Sequence, residues 1–184
     1  IDEDIVETNP AARITPPGPE RERERVLTDH EFRLFWLAAQ RMGLPWGPFY
    51  MVTALLAQRK NEVATMTWDQ VERTNVKGLQ GGFWKMSSDQ AKEGFGHLVP
   101  LPETAMLLIE EQPRLGRYVF MSGYSNGPLK GFSRAKEQLD KLMLEIAREE
   151  AVERGADPET VYIEPWRVHD LRRTIATRMR ENRV

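Results

Sequence analysis

The feature that most constrains this chain is the uncharged stretch Phe49-Tyr50-Met51-Val52-Thr53-Ala54-Leu55-Leu56-Ala57, apolar on every helical face except at Thr53. A helix without a polar face must be covered on all sides. At nine residues it is far short of the roughly 20 that cross a bilayer. It is therefore expected at the centre of a domain, with the other elements packed around it. Thr28-Asp29-His30-Glu31 is a capping box ahead of Phe32, Phe35, Trp36 and Ala39 at helical spacing, which predicts a helix beginning at Thr28. Val63, Met66 and Thr67 predict a shorter helical turn after Arg59. A helix opening at Pro102 or Glu103 is expected to reach Glu111. A long one from about 131 to 154 carries the stripe Phe132, Ala135, Leu139, Leu142, Ile146.

Three short strands are expected at Trp68–Val71, Phe83–Met86 and His97–Leu101, with Gly94 and Gly96 supplying turn chemistry before the third. The fold class is α+β, mainly α, with a small antiparallel three-stranded sheet. Residues 1–27 hold Pro10, Pro16, Pro17, Gly18 and Pro19 beside an Arg/Glu run. This composition cannot bury a core and reads as an interdomain linker or extended arm after a preceding folded unit, with the domain itself spanning 28–184. The chain has no cysteine, and His30, His97 and His169 are too far apart in sequence for metal-ligand spacing, so neither a metal nor a cofactor is expected. His97 is expected to pack at a strand start. No apolar run or secretory pattern argues for a membrane partner, and the reading is a soluble, cytoplasmic protein.

Chemistry concentrates near the end. His169 and Arg172 stand three residues apart on one predicted helix and so share a face, where an imidazole and a guanidinium can grip one anion from two directions. Arg59 and Lys60 close the apolar run, and Lys92 falls in the turn of a predicted hairpin. Taken alone, Arg59 reads as a cation at a helix C-terminus, Lys92 as a solvated turn residue, and Arg172 as a surface partner of Asp170 or Glu181. Trp166 reads as core. The net charge of −2 argues against a nucleic-acid partner, but from Trp166 onward six arginines face only Asp170 and Glu181. Arg173, Arg178 and Arg180 on that segment are candidates for sequence-independent contact with a DNA backbone.

Read together, Leu55-Leu56-Ala57-Gln58-Arg59-Lys60-Asn61-Glu62-Val63 with Trp68-Asp69, then Ala91-Lys92-Glu93-Gly94 before His97-Leu98-Val99-Pro100-Leu101, then His169-Asp170-Leu171-Arg172-Arg173-Thr174, closely resemble the catalytic domain of the tyrosine recombinase or phage integrase family. The resemblance implies that Arg59, Lys92, His169 and Arg172 surround a scissile phosphate in double-stranded DNA. In that scheme the two arginines neutralise the transition state, Lys92 protonates the departing 5′ oxygen and His169 assists proton movement. Glu62 and Asp170 are expected to hold these cations in place. The scheme needs no metal or cofactor.

The family's nucleophilic tyrosine follows the His-x-x-Arg helix by more than the twelve residues present after Arg172, whereas Tyr50, Tyr118, Tyr124 and Tyr162 all precede it. The expectation is a domain truncated before its nucleophile: inactive alone, a monomer, and part of a longer recombinase that assembles with other protomers, as tetramers on paired DNA sites. Two other readings stay open: a non-catalytic DNA-binding or protein-interaction module of the same fold, and a helical enzyme acting on small phosphate esters.

Overall fold

A computed structural model describes residues 24–74, 80–86, 96–121 and 126–182. Six helices and three strands run in the order α1 (Asp29–Met42), α2 (Trp46–Leu56), α3 (Lys60–Ala64), β1 (Val71–Arg73), β2 (Gly82–Met86), β3 (His97–Leu101), α4 (Glu103–Glu110), α5 (Phe132–Glu153) and α6 (Val168–Glu181). The protein is mainly helical with one small antiparallel sheet, as the sequence patterns anticipate.

The apolar run forms α2, and its position is central: α1, α3, α4, α6 and β3 all touch it. Every residue from Gly47 to Ala54 is buried, as is Leu56. Gly47 is required by the approach of α1, because a Cβ there would lie 2.2 Å from the carbonyl oxygen of Ala39. Phe49 anchors an aromatic cluster with Trp46, Tyr50, Phe120 and Phe132, whose ring centroids lie 5.3–5.8 Å from its own. Helix α5 packs along α1 and buries Ala135, Leu139, Met143, Ile146, Ala147 and Ala151.

The α1 capping box is present. Glu31 N donates to Thr28 Oγ1 at 3.2 Å, and Thr28 N donates to Glu31 Oε2 at 2.8 Å. Glu31 also accepts a hydrogen bond from Arg25, which ties the entering segment to the helix. Burial pushes the Glu31 carboxyl up, but the Arg25 hydrogen bond and the Thr28 amide outweigh it and hold the group below its ordinary value of 4.5. A depressed carboxylate contributes stability above its unfolded pKa and loses it as pH falls through the folded one. Glu31→Gln is therefore expected to lower the thermal midpoint at pH 7, with the gap to the parent closing below about pH 4.5. A gap that stays constant down to pH 3 contradicts this.

Strand β2 is central in the sheet, pairing Val71 with Trp84 on one side and Trp84 with Val99 on the other. Three sequence expectations change here. Trp68–Gln70 is a tight 3-10 turn rather than the start of a strand, because Gln70 Oε1 accepts from Thr67 N at 3.2 Å and Gln70 N donates to Thr67 O at 3.1 Å. The turn expected through Met66 and Thr67 stops at Ala64. Beyond it the backbone is drawn into an antiparallel bridge between Thr67 and Tyr118, with Val119 N donating to Met66 O at 2.9 Å and Trp68 N donating to Arg117 O at 3.1 Å. His97 shares the face of Val99 and Leu101 but sits at the strand's outer end, where it is exposed rather than packed.

Candidate active site

Helix α2 ends at Leu56, and Ala57 turns the chain through a left-handed conformation (φ 50°). Arg59 is then extended and forms the N-cap of α3, so it opens a helix instead of closing one. Glu62, one turn on, is 5% exposed and clamps Arg59 twice: its Oε2 accepts from Arg59 N at 2.9 Å and its Oε1 from Arg59 Nη1 at 3.0 Å. The guanidinium is thus fixed on one edge by a buried carboxylate while its side chain stays 32% exposed.

Beside Arg59 opens a cleft of about 970 Å³. Its walls come from the start of α3, the Arg117–Tyr118 segment, the first turns of α5 and the start of α6. Five cations line it, Arg59, Lys60, Arg117, Lys136 and Arg167, together with His169, and the one carboxylate among the lining residues is Glu62. A chain of net charge −2 thereby presents a basic cavity. Phe132 and Trp166 contribute aromatic faces, with Lys60 Nζ 4.6 Å from the Phe132 centroid and Lys136 Nζ 3.9 Å from that of Trp166. Trp166 is 6% exposed, packs edge-on against Phe35 and so belongs to the core as well as to the cleft wall.

The cleft brings Arg59, Glu62 and His169 together across more than a hundred residues of sequence. Arg172 does not line it. It sits one turn beyond His169 on α6, half-buried, and its Nη1 is buried with no hydrogen-bond partner among the described residues. A buried guanidinium N–H left unpaired costs on the order of 1–3 kcal/mol or more. Lys92 lies outside the described residues. It belongs to the connection between β2 and β3, whose paired ends are Met86 and His97.

Asp170 is 2% exposed but serves the helix itself: its Oδ2 accepts from Arg167 N at 2.8 Å and its Oδ1 lies 3.8 Å from Arg173 Nη1. Arg178 reaches away from the cleft, 2.7 Å from Asp29 and over the Phe32 ring. Thr174 closes the quoted His169–Thr174 run, where the sequence gives it no role. Its hydroxyl donates to Asp170 O at 2.7 Å and accepts from Leu27 N at 3.0 Å, fastening α6 to the segment that enters the domain. Lys60, Arg117, Lys136 and Arg167 were also missed as cleft residues. Lys60, next to Arg59, and Arg167, in the arginine-rich end of the chain, carry a sequence signal, whereas Arg117 and Lys136 carry none. Among the described residues no three His, Asp or Glu side chains gather where they could hold a metal ion, and no helix is long and apolar enough to cross a membrane.

A model of the phage integrase family matches residues 23–184. The chain belongs to the phage integrase family. Comparison with curated proteins gives no match. Membership of the phage integrase family, the tyrosine recombinases, places the chain in a class of DNA recombinases that carry out site-specific recombination, and makes DNA the partner to consider for the basic cleft.

Proposed function

We propose that the cleft receives one strand of double-stranded DNA and that Arg59, Lys92, His169 and Arg172 surround its scissile phosphate, for cleavage and rejoining through a 3′-phosphotyrosyl intermediate. The observation that carries the reading is the basic cleft itself, with Arg59 and His169 on its wall and the unpaired Nη1 of Arg172 one turn away.

In this reading a tyrosine hydroxyl attacks phosphorus, a bond forms between the tyrosine oxygen and phosphorus, and the bond to the 5′ oxygen breaks. Negative charge rises on the two non-bridging oxygens, where guanidinium groups that are charged at any working pH and carry paired donors stabilise it. Glu62 gives Arg59 a fixed orientation, so little rearrangement is needed as the charge develops. The tyrosine gives up its hydroxyl proton to solvent as it attacks, with His169 assisting that movement, and the 5′ oxygen leaves with a proton supplied by Lys92. Resealing reverses these steps with a 5′ hydroxyl as nucleophile. In the family pattern the attacking tyrosine follows the His-x-x-Arg helix. The active assembly would be protomers of the full-length protein on paired DNA sites.

A suicide duplex, nicked so that the cleaved end diffuses away, tests the chemistry in the full-length protein. The expected result is a covalent adduct on the 3′ side of the break, and failure to trap any adduct overturns the reading. Lys92→Ala is expected to lose cleavage on an ordinary phosphodiester and recover it when the bridging 5′ oxygen is sulfur, a leaving group that needs no proton. Without recovery, Lys92 is not the general acid.

A further inference from the structure

We infer that the DNA backbone flanking the scissile phosphate is held by Lys60, Arg117 and Arg167, cations to which the family pattern gives no role, rather than by Arg173 and Arg178 of α6. The inference rests on the DNA reading of the cleft.

The distinction comes from what each cation already holds. Arg173 lies 3.8 Å from the buried Asp170, and Arg178 lies 2.7 Å from Asp29 with Phe32 beneath it. In the cleft, Arg59 is fixed by Glu62 at 3.0 Å and Lys136 by both oxygens of Asp140 at 2.6 Å. Lys60, Arg117 and Arg167 line the same cleft and form no ion pair with any described residue.

Their backbones are nonetheless anchored. Lys60 is the first residue of α3, and its ammonium rests 4.6 Å from the Phe132 centroid. Arg117 precedes the bridge between Thr67 and Tyr118, and its carbonyl accepts from Trp68 N at 3.1 Å. Arg167 is the N-cap of α6, where its amide is taken by Asp170 and its residue is exposed two positions before His169. Fixed backbones carrying charges that no described carboxylate approaches within 4 Å, supplied by separate segments around one cavity, suit a linear polyanion. A small phosphate ester offers only one anionic group. Successive phosphates of a strand use all the sites at once.

The test is the salt dependence of duplex binding by the full chain, followed by fluorescence anisotropy between about 50 and 200 mM salt on two duplexes of unrelated sequence. Lys60→Ala, Arg117→Ala and Arg167→Ala are each expected to reduce the slope of log K against log salt by about 0.9, and the triple variant by about 2.7, equally on both duplexes. Lys60→Arg, Arg117→Lys and Arg167→Lys are expected to retain the parent slope. Arg173→Ala and Arg178→Ala are expected to leave it unchanged. Circular dichroism of each single variant confirms that the fold is intact, and the single variants decide the matter should the triple variant misfold. If the parent binds with a steep slope that the three rim substitutions leave untouched, the inference is overturned while the DNA reading stands. If the parent itself binds no duplex in a salt-dependent way, both fall.

Discussion

Arg172→Ala in the full-length protein is expected to slow covalent adduct formation by about 10²–10³-fold, about 2.7–4 kcal/mol, while changing duplex affinity only severalfold. The split arises because a guanidinium beside the phosphate gains most when charge concentrates on the non-bridging oxygens, after the ground-state duplex has already bound. The same substitution is expected to leave the thermal midpoint near the parent value or above it. In the absence of ligand, Nη1 of Arg172 is buried without a partner, so its removal takes away an unfavourable burial and offsets the lost packing of the alkyl stem. A large fall in rate without a fall in stability is the signature of a residue kept for function. Equal losses of binding and rate, or a marked loss of stability, contradict the role. Arg59→Ala should slow the reaction similarly, but it also strands the buried carboxylate of Glu62 and so is expected to destabilise the fold.

Phe49→Ala carries the largest expected loss of stability, about 3–5 kcal/mol by denaturant titration. The ring is fully buried in the middle of α2 and meets Trp46, Tyr50, Phe120 and Phe132 at once, so its removal leaves a cavity that four large neighbours cannot collapse to fill. The effect reaches the site, because Phe132 is also the face on which Lys60 rests, and α2 leads directly into Arg59. A loss below about 1 kcal/mol would mean that the cluster is more plastic than its packing implies.

The parts of this fold legible in the sequence are those written in local pattern. The capping box at Thr28, the all-round apolar stretch that became α2, the stripe of α5 and the alternation of β3 each need only a few adjacent residues to be read. Arg59 and Glu62 are only three residues apart, yet local pattern puts Arg59 at the end of one helix, whereas it caps the start of the next. What escaped depends on contacts distant in sequence. Trp68–Gln70 carries strand-forming residues, yet the Gln70 side chain closes a turn there once Thr67 is bridged to Tyr118. Arg117 has no local signal at all, and it reaches the cleft only through that bridge. Lys136 looks like an ordinary surface residue of α5 until the segment before α6 folds Trp166 beneath it. The arginine-rich end of the chain likewise gives no sign that Arg178 lies 2.7 Å from Asp29, a residue near the other end of the domain.

The most direct test of the central claim, that Arg59 and Arg172 neutralise one scissile phosphate, compares two suicide duplexes in the full-length protein. One carries an ordinary phosphate at the cleavage site, the other a methylphosphonate, in which a methyl group replaces one non-bridging oxygen and the negative charge is lost. If the arginines act on that charge, the deficit of about 10²–10³-fold between parent and Arg172→Ala on the phosphate shrinks toward unity on the methylphosphonate. A deficit of the same size on both duplexes would show that Arg172 works elsewhere, and would contradict the claim.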